Sequence, residues 1–132
     1  MHLVPFLFNH LDAPWLTQKW TRHICDKAYR NAVEGIVGNE DVGQMSAWYV
    51  LAASGIHPSC PGSTRYEITS PVFNEIRIHL DPDYFKGKKF VIRTLNNSKK
   101  QTGISRKPVS IIESTTNVIL ILKTLSQVVY LN

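Results

Sequence analysis

The run Gly38 to Pro58 reads GNEDVGQMSAWYVLAASGIHP, and it decides what kind of chain this is. Gly38 and Gly43 bracket Asn39, Glu40, Asp41 and Val42. An apolar run follows at once, predicting a helix from around Gly43 through QMSAWYVLAAS. Gly55 fits a helix C-terminus, where a left-handed residue is favoured, and Pro58 stands where no helix continues. The helix is apolar nearly all round, so it is expected to be buried on every side. On pattern alone the acidic pair is explained by the helix start, whose unpaired N–H groups favour negative charge.

Upstream, Leu3, Phe6, Leu7 and His10 recur at helical spacing. Asp12 or Ala13 stands at the N-cap of a second helix, with Pro14 at its first position. From there Trp15, Leu16, Trp20, Ile24, Cys25, Ala28 and Tyr29 form one broad apolar face. Tryptophans and tyrosines at helical spacing are read as core before they are read as sugar platforms. Downstream the pattern changes near residue 60. RYEIT places Tyr66 and Ile68 inward, EIRIHL places Ile76, Ile78 and Leu80 inward, and KKFVIRTL (Lys88 to Leu95) makes a third strand around the turn DPDYFKGK. Val118 to Leu131 fits strand or helix, and Gln101 to Asn117 is polar with little pattern. The fold class is mainly α, then β.

The totals bound the function. The 132 residues allow one domain, 43% of them are hydrophobic, and the formal net charge is +5. The densest basic stretch, Asn96 to Pro108, lacks the interleaved aromatics of a single-strand binder, so no nucleic-acid partner is expected. No apolar run approaches the ~20 residues of a membrane span. The N-terminal stretch has neither a basic region nor a cleavage site, so it is not read as a signal peptide. Cys25 and Cys60 form no CxxC pair and the five histidines no HxxxH pair, so no metal site is supported. By position alone His2 is a frayed terminal residue.

The long motifs resemble glycoside hydrolase family 92, the calcium-dependent α-mannosidases. Gly38 to Pro58 resembles the family's signature. HLVPFLFNHLDAPWLTQKWTR (His2 to Arg22) resembles its H-x-x-P-Y-L-Y-N-Y-x-G-x-P-W-x-T-Q segment, with Phe6 and Phe8 where tyrosines are common and His10-Leu11-Asp12 where Tyr-Ala-Gly is common. PGSTRYEITSPVFNEIRIHL resembles the Y-x-I-x-S-P-x-F continuation. The likeness runs from His2 to about Ser98.

The resemblance implies the last helices of an (α/α)6 barrel in residues 1–59 and a β-strand extension in 60–98. It implies exo-acting, inverting hydrolysis of α-mannosides, of α-1,2 linkages in particular, in glycans. The family's general base maps onto Asp41, and Asn39 stands at the position of a second aspartate, in a supporting role. His2 and Glu40 are expected to bind substrate. Calcium is expected in the complete enzyme, with most of its ligands outside this chain. The general-acid glutamate lies upstream of this segment, so the chain alone is expected to be inactive. Family members are usually periplasmic or extracellular.

Residues 99–132 depart from the family pattern. One permitted codon set for Gly103 to Asn117, read two bases later, spells a strand like the missing one, so a frameshift before Gly103 is expected. Two other readings remain. The chain could be a non-catalytic remnant of a truncated mannosidase gene, self-associating through its exposed apolar helix faces. Residues 60–132 could instead form a carbohydrate-binding β module, which needs an exposed aromatic platform.

Overall fold

A computed structural model of the chain describes residues 2–58, 60, 62, 65–85, 87–94 and 97 in full, and the backbone of 110–114, 117–122 and 129–130. A 3-10 helix, Val4–Leu11, leads into α1, Pro14–Lys27, and then α2, Gln44–Ser54. Among the described residues seven strands follow: β1 Ile56–His57, β2 Arg65–Ile68, β3 Glu75–His79, β4 Lys89–Thr94, β5 Ser110–Ser114, β6 Asn117–Leu122 and β7 Val129–Tyr130. One sheet has the order β1-β2-β7, the other β3-β4-β6-β5. All pairings are antiparallel except β4 with β6, which is parallel from Lys89 opposite Asn117 to Thr94 opposite Leu122.

The helix boundaries follow from local chemistry. Ala13 is the N-cap of α1 and Pro14 takes its first position, where a missing N–H costs nothing. Asp12 ends the 3-10 helix at φ 53°, its N–H donating to the Phe8 carbonyl. That position is a glycine in the family pattern; an aspartate tolerates left-handed backbone better than most side chains. Gly43 (φ 92°) and Gly55 (φ 99°) begin and end α2. The C-terminal carbonyls of α2 are sealed from β2 onward: Thr69 Oγ1 donates to the Ala52 carbonyl at 2.6 Å, and the Val72 N–H to that of Ala53 at 2.9 Å.

Two cores result. Phe6, Cys25, Trp48, Ala52 and Ala53 are buried together, flanked by Ile24, Tyr29, Tyr49 and Val72. Ile56, Ile68, Phe90 and Ile92 form the other, flanked by Tyr66, Ile76 and Leu80. Burial of the apolar surface of both clusters stabilises the fold at roughly 25 cal/mol per Å². Cys25 is buried, Cys60 is exposed, and they are not bonded to each other.

Three expectations need correction. First, α1 does not bury its aromatic face. Thr17, Gln18, Thr21, Arg22 and Cys25 are inside, while Trp15 and Trp20 are 37% and 41% exposed. The polar face can go inside because much of it finds partners, although Gln18 Oε1 has no hydrogen-bond partner among the described residues. Thr17 Oγ1 donates to the Pro5 carbonyl and Thr21 Oγ1 to that of Thr17, both at 2.7 Å. Arg22 Nη1 donates to the Pro71 carbonyl and to Asn97 Oδ1. Second, α2 is not covered all round: Met45, Trp48, Ala52 and Ala53 are buried, and Val50 is exposed. Third, alternation fails twice. Ile78 is exposed, and Glu67, expected outward on β2, is buried. Val118 to Leu131 includes strand β6, while residues 98–109, where the frameshift is expected, lie outside the described residues.

Between α1 and α2 the chain makes a tight hairpin, with the Arg30 N–H donating to the Gly35 carbonyl at 2.9 Å and Tyr29 bridged to Ile36. Gly35 is buried, and a Cβ there would stand 2.2 Å from the Arg30 carbonyl oxygen and 2.7 Å from that of Ala32. Both are backbone atoms and cannot swing aside. Gly35→Ala is therefore expected to cost about 2 kcal/mol or more in urea unfolding. Gly38→Ala, at φ 84° with open space around it, is expected to cost about 1 kcal/mol.

Candidate active site

The loop Gly38 to Gly43 carries the acidic pair, and its two carboxylates have different fates. Glu40 faces the start of α2. Its Oε1 accepts from the Ser46 N–H at 3.1 Å, its Oε2 from Ser46 Oγ at 3.0 Å, and its main-chain carbonyl from the Met45 N–H at 3.1 Å. A carboxylate at a helix N-terminus satisfies orphan donors and the helix dipole together. Asp41 is exposed, and no hydrogen bond or ion pair among the described residues uses its carboxylate. Its backbone carbonyl accepts the Gln44 N–H at 3.3 Å. Asn39 is exposed beside them.

The backbone under Asp41 is strained. Asp41, Val42 and Gly43 have φ of 54°, 58° and 92°. Left-handed backbone suits glycine and is tolerated by aspartate, but at a β-branched valine it is a true outlier. Such residues cost about 1–3 kcal/mol each and persist where the surroundings fix them. Here the Glu40 cap and Gly43 hold the two ends. The result is an exposed carboxylate to which no described residue is bonded.

His2 is not frayed. Its ring meets Trp48 edge-on at 4.7 Å and Tyr29 at 5.8 Å between centroids. Trp48, about one turn into α2, is 1% exposed. The Tyr29 hydroxyl donates to the Met45 carbonyl at 2.9 Å, tying the hairpin to the first turn of α2. His57 stacks on Phe6 at 4.6 Å and lies 6.1 Å from Trp48. The structure thus gathers His2, Tyr29, Trp48 and His57 on one ring cluster, and places Asn39, Glu40 and Asp41 on the loop that begins the same helix. Beside α2 runs a groove of about 680 Å³, lined among others by Tyr29, Arg30, Ser46 and Tyr49. Ser46 lines it while binding Glu40.

Several polar atoms around this cluster are buried without a partner: His2 Nε2, Trp48 Nε1, His57 Nδ1 and Asn9 Oδ1. Glu67, 1% exposed, accepts from Asn9 Nδ2 at 2.5 Å. Sequence reasoning missed the Asn9–Glu67 pair and the burial of His57. Strand alternation placed Glu67 outside, and only the pairing of His57 with Glu67 across β1 and β2 brings them together. Among the described residues no three His, Cys, Asp or Glu side chains converge on a point that could hold a metal. The calcium implied by the resemblance finds no donor set in them. No helix among the described residues is long and apolar enough to cross a membrane.

Comparison with known proteins identifies the family. The glycosyl hydrolase family 92 catalytic domain matches residues 1–115. The chain belongs to glycoside hydrolase family 92. A secreted glycosidase of Arthroderma benhamiae, itself uncharacterised, is 28% identical over 102 residues, covering 77% of this chain and 13% of its own. A family 92 α-mannosidase of Bacteroides thetaiotaomicron, solved with mannoimidazole, is 32% identical. It superposes with a TM-score of 0.77 over 91% of this chain and 17% of its own. An inverting family 92 mannosidase of the same species is 44% identical over 64% of this chain and 11% of its own, with a TM-score of 0.55. The chain therefore spans less than a fifth of each of these relatives.

Burial holds the imidazoles of both His57 and His2 below the ordinary value of 6.5. Each stays neutral inside while the unfolded chain takes up a proton near 6.5, so the unfolded state binds more protons as pH falls. Their contribution is complete above that value and is lost below it. Urea midpoints are expected to drop between about pH 7 and about pH 5.5. His57→Gln is expected to flatten the slope, leaving the share of His2.

Proposed function

We propose that this chain carries the general-base half of an exo-acting, inverting family 92 α-mannosidase that cleaves α-mannosidic linkages, α-1,2 among them, in glycans. Asp41 is the base. The observation that supports this reading is the division of the acidic pair: Glu40 is committed to Ser46, and Asp41 is exposed on left-handed backbone with no described residue bonded to its carboxylate. In the reaction Asp41 takes a proton from water, and that water attacks the anomeric carbon from the face opposite the leaving group. The configuration inverts, and a glutamate outside the described residues protonates the departing oxygen. The two carboxyl groups of such a pair stand about 6.5–9.5 Å apart, leaving room for the water.

Asn39, two residues before Asp41, is a neutral amide that can hydrogen-bond that water or the base without competing for its proton. His2 is a substrate contact at the wall formed by Trp48 and Tyr29. Glu40 serves the site chiefly by fixing the loop. Calcium, in this reading, is supplied with ligands from outside the described residues. The exposed Trp15, Trp20 and Val50 support a second reading, a non-catalytic remnant that self-associates. The relative named as secreted supports an exported whole enzyme.

The purified chain is expected to release no mannose from an α-1,2-mannobiose, with or without calcium. Grafted in place of the matching segment of the Bacteroides α-mannosidase, it is expected to support hydrolysis with an inverted product by NMR. Asp41→Asn in that graft is expected to lower kcat by about 10²–10⁴-fold, and Glu40→Gln by far less. A graft that folds and is equally active with Asn at 41 would exclude Asp41 as the base. A folded graft with no activity at all would favour the remnant.

A further inference from the structure

We propose that Tyr29 is a positioning residue for the base: it braces both ends of the loop that carries Asp41. The proposal rests on Asp41 being the base. Its starting point is that one residue stands at both ends of the loop Gly38 to Gly43. At the entry, the Tyr29 backbone is bridged to Ile36, two residues before Gly38. The Arg30 N–H donates to the Gly35 carbonyl at 2.9 Å and the Val37 N–H to that of Ala28 at 3.3 Å, one bond on each side of the bridge. At the exit, the Tyr29 hydroxyl donates to the Met45 carbonyl at 2.9 Å, two residues after Gly43. The loop is closed across this one side chain, and its ends cannot separate without breaking a bond to Tyr29 or its neighbours in the hairpin.

The ring that carries the hydroxyl is itself held on several sides. It stacks on Trp48 with planes 10° apart and centroids at 6.0 Å, leans on Tyr49 at 4.7 Å and meets His2 at 5.8 Å. A phenol fixed in this way has little rotamer freedom left to lose in reaching Met45. Burial, with lesser effects of Cys25 and Glu40, pushes the hydroxyl up to about 12, so it keeps its proton and donates at neutral pH and well to either side. Its one hydrogen is committed to Met45, which leaves it a brace and not an acid or a base. From Met45 the hold passes to the loop: the Met45 N–H donates to the Glu40 carbonyl at 3.1 Å, and the Gln44 N–H to that of Asp41 at 3.3 Å. Asp41 and Val42, at φ 54° and 58°, are strained and persist only where their surroundings fix them. Glu40 fixes them from within the loop, and Tyr29 ties the loop to the hairpin and the ring cluster. A base displaced by about 1 Å can lose about 10²-fold in rate.

The test is Tyr29→Phe, which removes the hydroxyl and keeps the ring. In the full chain, amide exchange followed by NMR is expected to speed up at least about fivefold at Met45 and Ser46, with far-UV circular dichroism unchanged. In the graft into the Bacteroides α-mannosidase, Tyr29→Phe is expected to lower kcat about tenfold and to move KM less than about twofold. The pH–rate profile is expected to drop without changing shape. Tyr66→Phe, at a half-buried tyrosine beside the other core, is expected to keep the wild-type kcat, KM and exchange rates. The proposal is overturned by exchange at Met45 and Ser46 that Tyr29→Phe leaves unchanged, by a wild-type kcat, by a loss confined to KM, or by an equal loss in Tyr66→Phe. Asp41→Asn tells its failure from that of the base reading. A graft that Asp41→Asn inactivates and Tyr29→Phe does not keeps Asp41 as the base and removes Tyr29. A graft inactive as wild type, or indifferent to Asp41→Asn, removes the base and this proposal with it, whatever the exchange rates show.

Discussion

Trp48 is the contact on which the helical half depends. It is the largest fully buried side chain, and it meets His2 from the N-terminus, Tyr29 from the hairpin and His57 from β1. Phe6 closes the stack from the 3-10 helix through His57. Three segments, the N-terminal stretch, the hairpin and β1, are thus set against one indole. Ala52 and Ala53, a turn further along α2, are small enough to bring the helix close to its neighbours, and both are fully buried. Packing of this kind is dense and tolerates little change of volume. The position of α2 therefore fixes the position of the loop that precedes it.

That coupling links the core to the chemistry. Met45 in the first turn of α2 is held twice, by Tyr29 through its carbonyl and by Glu40 through its N–H. Glu40 then grips Ser46 through both carboxylate oxygens. The loop is pinned at its helix end, while Gly38 at its entry is free to adopt φ 84°. A rigid anchor on one side and a permissive residue on the other let the strained pair Asp41 and Val42 exist. Strain stored this way aims a side chain, which is what a site built for positioning requires.

Much of this was legible in the sequence, and the reasons differ by element. Gly43, Gly55 and Pro14 mark helix ends because their backbone preferences are local. Strands β3 and β4 and the turn between them follow from alternation and the DPDY cluster, in which Asp81 Oδ1 accepts the Asp83 N–H. The face of α1 was not legible, because it depends on which carbonyls of other segments await Thr17, Thr21 and Arg22. The burial of Glu67 was not legible either, since it needs both its pairing opposite His57 and the arrival of Asn9 from 58 residues away. The parallel pairing of β4 with β6 is a matter of topology that no local pattern encodes. For the site, the acidic pair was visible at once, but neither periodicity nor charge separates Glu40 from Asp41. The family resemblance ranked them; the structure adds that Glu40 is hydrogen-bonded to Ser46.

The same hydrogen-bond accounting explains why a chain this short has tryptophans on its surface. In an isolated domain, burying Thr17, Gln18, Thr21 and Arg22 while exposing Trp15 and Trp20 forgoes the hydrophobic gain of two large side chains. Exposing the polar face instead would strip the Pro5 and Pro71 carbonyls of their donors, and each buried polar atom left unpaired costs about 1–3 kcal/mol. The polar face is thus fixed by this chain's own backbone, whatever lies outside. If Asp41 acts as the proposed base, it needs a second surface that brings the acid and keeps solvent from competing for the substrate.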